Sequence, residues 1–211
     1  MDYFCDEFLA YLEIKQDLLF YKIPTQQLPY YVHSALRIGQ QLGQSFKGQD
    51  PRGLLQEHQI AIDPQQGDGS FFKVTFRAQF ETDAKGKNHV LLYESSIKEL
   101  AEANKLSLAE MEDVVLAHEF FHYLEFQQGV LVPDQLEPFE SFRLGRLTRK
   151  ARVQRTSEIA ANRFTKEVLG LPHLANYYDY AFLLATKQLS QQELLADYQE
   201  FERIFERGSK V

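Results

Sequence analysis

Between residues 72 and 80 the chain reads FKVTFRAQF and alternates strictly, with Phe72, Val74, Phe76, Ala78 and Phe80 on one face and Lys73, Thr75, Arg77 and Gln79 on the other. A period of two means a strand with one dry and one wet side. Turn-forming DAKGKN follows at 83–88 and HVLLYE at 89–94, so the two apolar segments predict a hairpin, with His89 exposed at the start of its second strand. The remainder runs on a helical period. Residues 3–22 carry Phe4, Phe8, Tyr11, Leu12, Leu18, Leu19 and Phe20 at spacings compatible with one helix, which Pro24 ends. Further helices are predicted at 30–46, at 52–58 behind Pro51, and at 96–104. Past residue 129, VLVPDQLEP reads as a loop; helices are expected at 139–147, 152–169, 174–187 and 191–207, the last two as a closing pair. Many helices around one short hairpin make the fold class α+β and mostly helical.

One further helix is apolar nearly all round. Ser107 followed by Glu110 has the spacing of a capping box and Gly129 lies just past the far end, which predicts a helix over 108–127. Met111, Val114, Val115 and Phe121 fall on one side and Leu116, Phe120 and Tyr123 on the other, so it is expected to be buried between a sheet and other helices. Its centre contains His118, Glu119 and His122 in the order H-E-x-x-H. The histidines lie one turn apart, roughly 6 Å along the axis and about 40° in rotation, so both imidazoles can reach one metal ion. Glu119 turns about 100° away, where it can hold and deprotonate a water molecule rather than ligate. The plainer alternative is two histidines packed in a core with polar partners of their own.

Composition narrows the partners. With 211 residues and 44% hydrophobic content the chain can bury a substantial core, and a single domain over 1–211 is expected, with a helical N-terminal portion over 1–60. A net charge of −7 argues against a nucleic-acid partner. The single cysteine, Cys5, cannot form an internal disulfide and fits a reducing compartment; its neighbours Asp6 and Glu7 do not suit a nucleophile. The N-terminus lacks the features of a secretory signal and no apolar run approaches bilayer length, so a cytoplasmic protein without a membrane partner is expected. Arg143, Arg146, Arg149, Lys150, Arg152 and Arg155 form a basic run without one acid, read as a solvated face pairing with acidic neighbours in preference to an anion site.

Catalytic zinc takes three protein ligands, and two histidines supply only two. The candidates downstream are Glu125, Asp134, Glu137, Glu140, Glu158 and His173. Glu125 projects from the same helix as the histidines, and three ligands on one straight helix cannot close around an ion. Glu158 is best placed, at the edge of an apolar stripe of Val153, Ala160, Phe164 and Val168, with Ala160 and Ala161 small enough for close approach to the motif helix. Its alternative is a surface ion pair with Arg155. Asn162, one turn on, is either a hydrogen-bond partner behind the site or polar surface.

His118-Glu119-x-x-His122, followed by Glu158-x-x-Ala161-Asn162-x-Phe164 and then Leu171-Pro172, resembles the ImmA/IrrE family of small zinc peptidases, a branch of the gluzincins, over roughly residues 70–175. The resemblance implies a zincin-like core over 70–211, with a small antiparallel sheet or hairpin packed on the H-E-x-x-H helix. It implies zinc held by His118, His122 and Glu158, Glu119 as general base, and a peptide or protein substrate. The chain departs from the family's pattern at Phe121, where a small residue is usual, and at Thr165, where alanine is common. The competing reading is a zincin-fold binding or regulatory protein that keeps its metal site with little catalysis. For an oxyanion donor the candidates are Tyr93, Tyr123, His173, Tyr177, Tyr178 and Tyr180, with a packing role the preferred reading of each and none singled out.

Overall fold

The computed structural model describes residues 3–67, 70–71 and 74–208. The first third forms three helices, α1 (Asp6–Ile14), α2 (Leu28–Gln44) and α3 (Pro51–Glu57). α1 is shorter than its apolar period suggests. After Ile14 the Asp17 carboxylate accepts the N–H groups of Leu19 at 2.9 Å and Arg155 at 3.2 Å, which turns the chain out of the helix and leaves Leu18 91% exposed. α3 starts as expected, with Pro51 in its first turn and the Asp50 side chain accepting from Gly53 N–H at 2.8 Å.

Five strands follow: β1 (Ile60–Pro64), β2 (Ser70–Phe71), β3 (Val74–Thr75), β4 (Ala78–Thr82) and β5 (Asn88–Leu92). The alternating segment is not one strand. Phe72 and Lys73 lie outside the described residues, β3 pairs with β2 in a separate ribbon, and only from Ala78 does the chain join β5 in the expected antiparallel hairpin. β1, which has no counterpart in the sequence reading, lies parallel to β5, so the sheet has the order β1-β5-β4 and is mixed rather than antiparallel. β4 is its edge. Tyr93 N–H bonds Arg77 C=O and Asp83 N–H bonds Lys87 C=O, so odd positions turn toward β5. Ala78, Phe80 and Thr82 therefore direct their backbone groups away from the sheet.

α4 (Glu94–Asn104) leads into α5 (Leu108–Gln128), the motif helix. Its capping box is closed: Ser107 Oγ accepts from Glu110 N–H at 3.2 Å, and Glu110 accepts from Ser107 N–H at 2.8 Å. Gly129 ends it at φ 65°, in the left-handed region. Met111, Leu116, Phe120 and Phe121 are all buried, so both sides of the helix are covered as expected. β4 lies on it through Phe80, whose ring centroid is 5.7 Å from that of Tyr123 and 5.8 Å from that of Phe126.

Beyond α5 the expected loop contains one helical turn, α6 (Val132–Gln135), and the helix expected at 139–147 is instead a hairpin, β6 (Phe139–Leu144) with β7 (Leu147–Ala151). Gly145 at φ 59° makes the reversal. Three helices close the chain: α7 (Thr156–Leu169), α8 (Tyr177–Ala185) and α9 (Gln191–Gly208). α8 packs on α4, while α9 packs on α1 and α2, so the last two do not form the expected pair. No described helix is long and apolar enough to cross a membrane.

α7 runs between α5 and α2, and its tightest contact is with α2 rather than with the motif helix. A Cβ on Gly39 would stand 2.2 Å from the Ala160 carbonyl oxygen, and one on Gly43 would stand 2.9 Å from that of Phe164. The small Ala160 thus serves the approach of α2. Alanine at position 39 would gain about 1 kcal/mol of helix propensity, but two backbones would have to part. Gly39→Ala is expected to destabilise the protein by about 1–3 kcal/mol net, read as a lowered urea midpoint.

Candidate metal centre

α5 and α7 bring the three sequence-predicted ligands together. His118 Nε2 and His122 Nε2 are 3.2 Å apart, Glu158 Oε2 is 3.3 Å from His118 Nε2, and Glu158 Oε1 is 3.7 Å from His122 Nε2. Among the described residues these three form the group whose ligand atoms, all within 4.8 Å of one another, could hold a metal ion. The spacing suits a particular geometry. Bonds of 2.0–2.1 Å to a tetrahedral ion place donor atoms about 3.3–3.4 Å apart, and the three separations approximate one face of that tetrahedron. All three side chains are only partly buried, unlike histidines sealed in a core.

Glu125, excluded as a ligand by its position on α5, has a different place. Its buried carboxylate meets His122 Nδ1 at 3.1 Å, accepts from Val132 N–H at 2.8 Å and takes a short hydrogen bond from the Ser157 hydroxyl. With Nδ1 donating to Glu125, the Nε2 lone pair faces the site. The i, i+3 spacing of His122 and Glu125 was the signal in the sequence. Glu125→Gln keeps an acceptor for Val132 but removes the charge behind the ring, and it is expected to weaken metal affinity about 10–100-fold in competition with a chromogenic chelator.

Glu119 is buried, and one of its oxygens accepts from Phe80 N–H on the β4 edge at 2.8 Å. It is near enough for its charge to raise the His122 pKa. Asn162 is also buried, but the described hydrogen bonds do not join its side-chain amide to any of the three ligands; its backbone carbonyl accepts from Ala175 N–H at 3.4 Å. Glu125 and Ser157 stand where the sequence reading looked for Asn162.

Burial and neighbouring charge act against each other around the triad. Burial opposes a charge on His122, yet the carboxylates of Glu125 and Glu158 outweigh it and hold the ring at about 10. Burial likewise raises Glu158, but its bonds to the two imidazoles prevail and keep it well below the usual carboxylate range. A further acid, Glu13 on α1, was not anticipated. It is buried, paired with Arg155 at 3.0 Å, and pushed up to about 7 by burial and by the negative charge of Glu158. Arg155 is thus the partner of Glu13 rather than of Glu158. The signal was an acid flanked by Leu12 and Ile14 in a segment otherwise rich in apolar residues.

Other expectations resolve individually. His89 is not exposed: it is partly buried, with Nδ1 2.7 Å from Asp63. The Tyr123 hydroxyl meets His58 at 3.3 Å, and His173 meets the Phe4 carbonyl at 3.1 Å while stacking on Tyr177. Tyr180 accepts from Gln16 at 3.3 Å, and burial together with the charges of Glu13 and Asp179 raises its hydroxyl pKa. In the basic run, Arg143 pairs with Glu140, Arg152 with Asp134 and Arg155 with Glu13. Both departures from the family pattern lie in the core: Phe121 packs against Phe164, and the Thr165 hydroxyl donates to the Ala161 carbonyl at 2.9 Å.

Fold and site together define a mostly helical α+β protein with a His-His-Glu group arranged to hold a metal ion. Compared with known proteins, the chain matches no family model, no curated protein and no solved structure.

Proposed function

We propose that this protein is a zinc-dependent metallohydrolase, and specifically a peptidase of the kind found in the ImmA/IrrE family. The observation that carries the proposal is the triangle of His118, His122 and Glu158 donor atoms drawn from two helices, with Glu119 anchored to the β4 edge and near enough for its charge to act on His122. Two imidazoles and one carboxylate suit zinc. When bound, the ion supplies Lewis-acid polarisation of the scissile carbonyl and lowers the pKa of a water molecule toward neutrality. Glu119 takes the water's proton and delivers it to the leaving amine. The hydrogen bond from Phe80 fixes one carboxylate oxygen and leaves the other for that exchange. The outward backbone groups of Ala78 and Thr82, with the Phe80 carbonyl, offer an edge to an extended peptide. Cys5, exposed and single, fits a reducing compartment such as the cytoplasm.

Metal analysis of the purified protein is expected to find about one equivalent of zinc, with cleavage of a mixed peptide library that a chelator stops and added zinc restores. Protein that holds zinc and leaves the library uncut would instead be a metal-bearing regulatory or binding protein.

A further inference from the structure

The β6–β7 ribbon carries an apolar face that the fold does not use. Its register sets Phe142 opposite Arg149 and Leu144 opposite Leu147, and residues two apart in a strand share a face, so these four side chains project to one side. Phe142 is 45% exposed, Leu147 60% and Leu144 69%. A two-stranded ribbon is marginal alone, and an uncovered apolar side forgoes the burial that would steady it. The turn after α1 meets this face. Leu19 and Lys22, with Ser141, Phe142, Leu147 and Arg149, line a groove of about 590 Å³. Its floor is apolar and its rim cationic. Among the described residues no carboxylate pairs with Lys22, Arg146, Arg149 or Lys150, whereas the other arginines of the run are taken by Glu140, Asp134 and Glu13. On a chain of net charge −7 this is a local field of opposite sign.

We propose that the groove docks a protein partner through an acidic segment bearing a bulky apolar side chain. The apolar side chain enters between Phe142 and Leu147, and flanking carboxylates meet Lys22 and Arg149. A concave floor fits an inserted side chain better than the plane of a lipid surface, and the unpaired cations select acid on the partner. The metal site takes no part in this, so the inference and the peptidase reading stand or fall separately.

Fluorescence anisotropy with the full chain tests it, using three short labelled peptides: leucine alternating with aspartate, serine with aspartate, and leucine with lysine. Saturable binding of the first alone is expected, weakened by salt and weakened about tenfold or more by Arg149→Glu and by Leu147→Ser. Both positions are exposed, so the circular dichroism of the variants should match that of the parent. Four results would each overturn the proposal: equal binding of the serine–aspartate peptide; no loss in either variant; binding of phosphatidylcholine–phosphatidylserine vesicles without binding of the peptide; or self-association of the protein, seen in sedimentation, that Leu147→Ser abolishes.

Discussion

Glu119→Gln is expected to retain zinc at the parent level and to lose about 10²–10⁴-fold in kcat/KM. The prediction depends on how the carboxylate is held. Glutamine matches glutamate in size, and its amide oxygen can still accept from Phe80 N–H, so the β4 edge and the packing of α5 should be undisturbed. What disappears is the basic oxygen, and with it, on the proposed peptidase reading, the route of a proton from water to leaving group. Metal content and peptide cleavage measured on the same preparation separate the two effects. Activity within a few-fold of the parent would remove Glu119 from the chemistry.

Glu158→Ala is expected to reduce bound zinc from about one equivalent to a trace, because two imidazoles on one helix leave the ion without its ligand from α7. Protons should compete for the same site. In the metal-free chain His122 is held at about 10 against an ordinary 6.5, so its ion pairs contribute fully to stability below the ordinary value and are lost as pH climbs toward 10. Glu158 is shifted the other way: its contribution is present above about 4.5 and is lost as pH falls through its depressed value. Zinc requires His122 neutral, so uptake releases a proton, and apparent affinity is expected to fall on the order of tenfold per unit as pH is lowered below 10. Zinc titrations at several pH values check this, with a pH indicator to register the released proton. A pH-independent affinity would mean that His122 is not a ligand.

What could be read from the sequence follows the range of the interactions involved. The capping box of Ser107 and Glu110, the stop at Gly129 and the one-turn spacing of His118 and His122 are local, and each stands where it was expected. Glu158 was recognisable because the apolar positions on its helix implied a face and an edge, although the small Ala160, read as an approach to α5, meets α2 instead. The misplaced elements depend on distant partners. β1 is ordered by a parallel neighbour, β5, that three other strands separate from it along the chain, and IAIDP carries little signal of its own. Residues 139–147 fit a helical period loosely, with apolar positions at Phe139, Phe142 and Leu147, and the left-handed turn at Gly145 decides for a ribbon. Glu13 shows the limit most clearly. Its role is set by Arg155, Asn176 and Glu158, none of which is near it along the chain.

The fit of Gly39 against Ala160 bears on how little of this protein could be dispensed with. A fragment starting after α3 would still contain all three candidate ligands. Stripped of the α2 backbone it leans on and of the carboxylate that occupies Arg155, however, α7 would lose the mount that aims Glu158 at its two histidines. The amino-terminal helices are on this account part of the foundation of the candidate metal centre, through the helix that they brace.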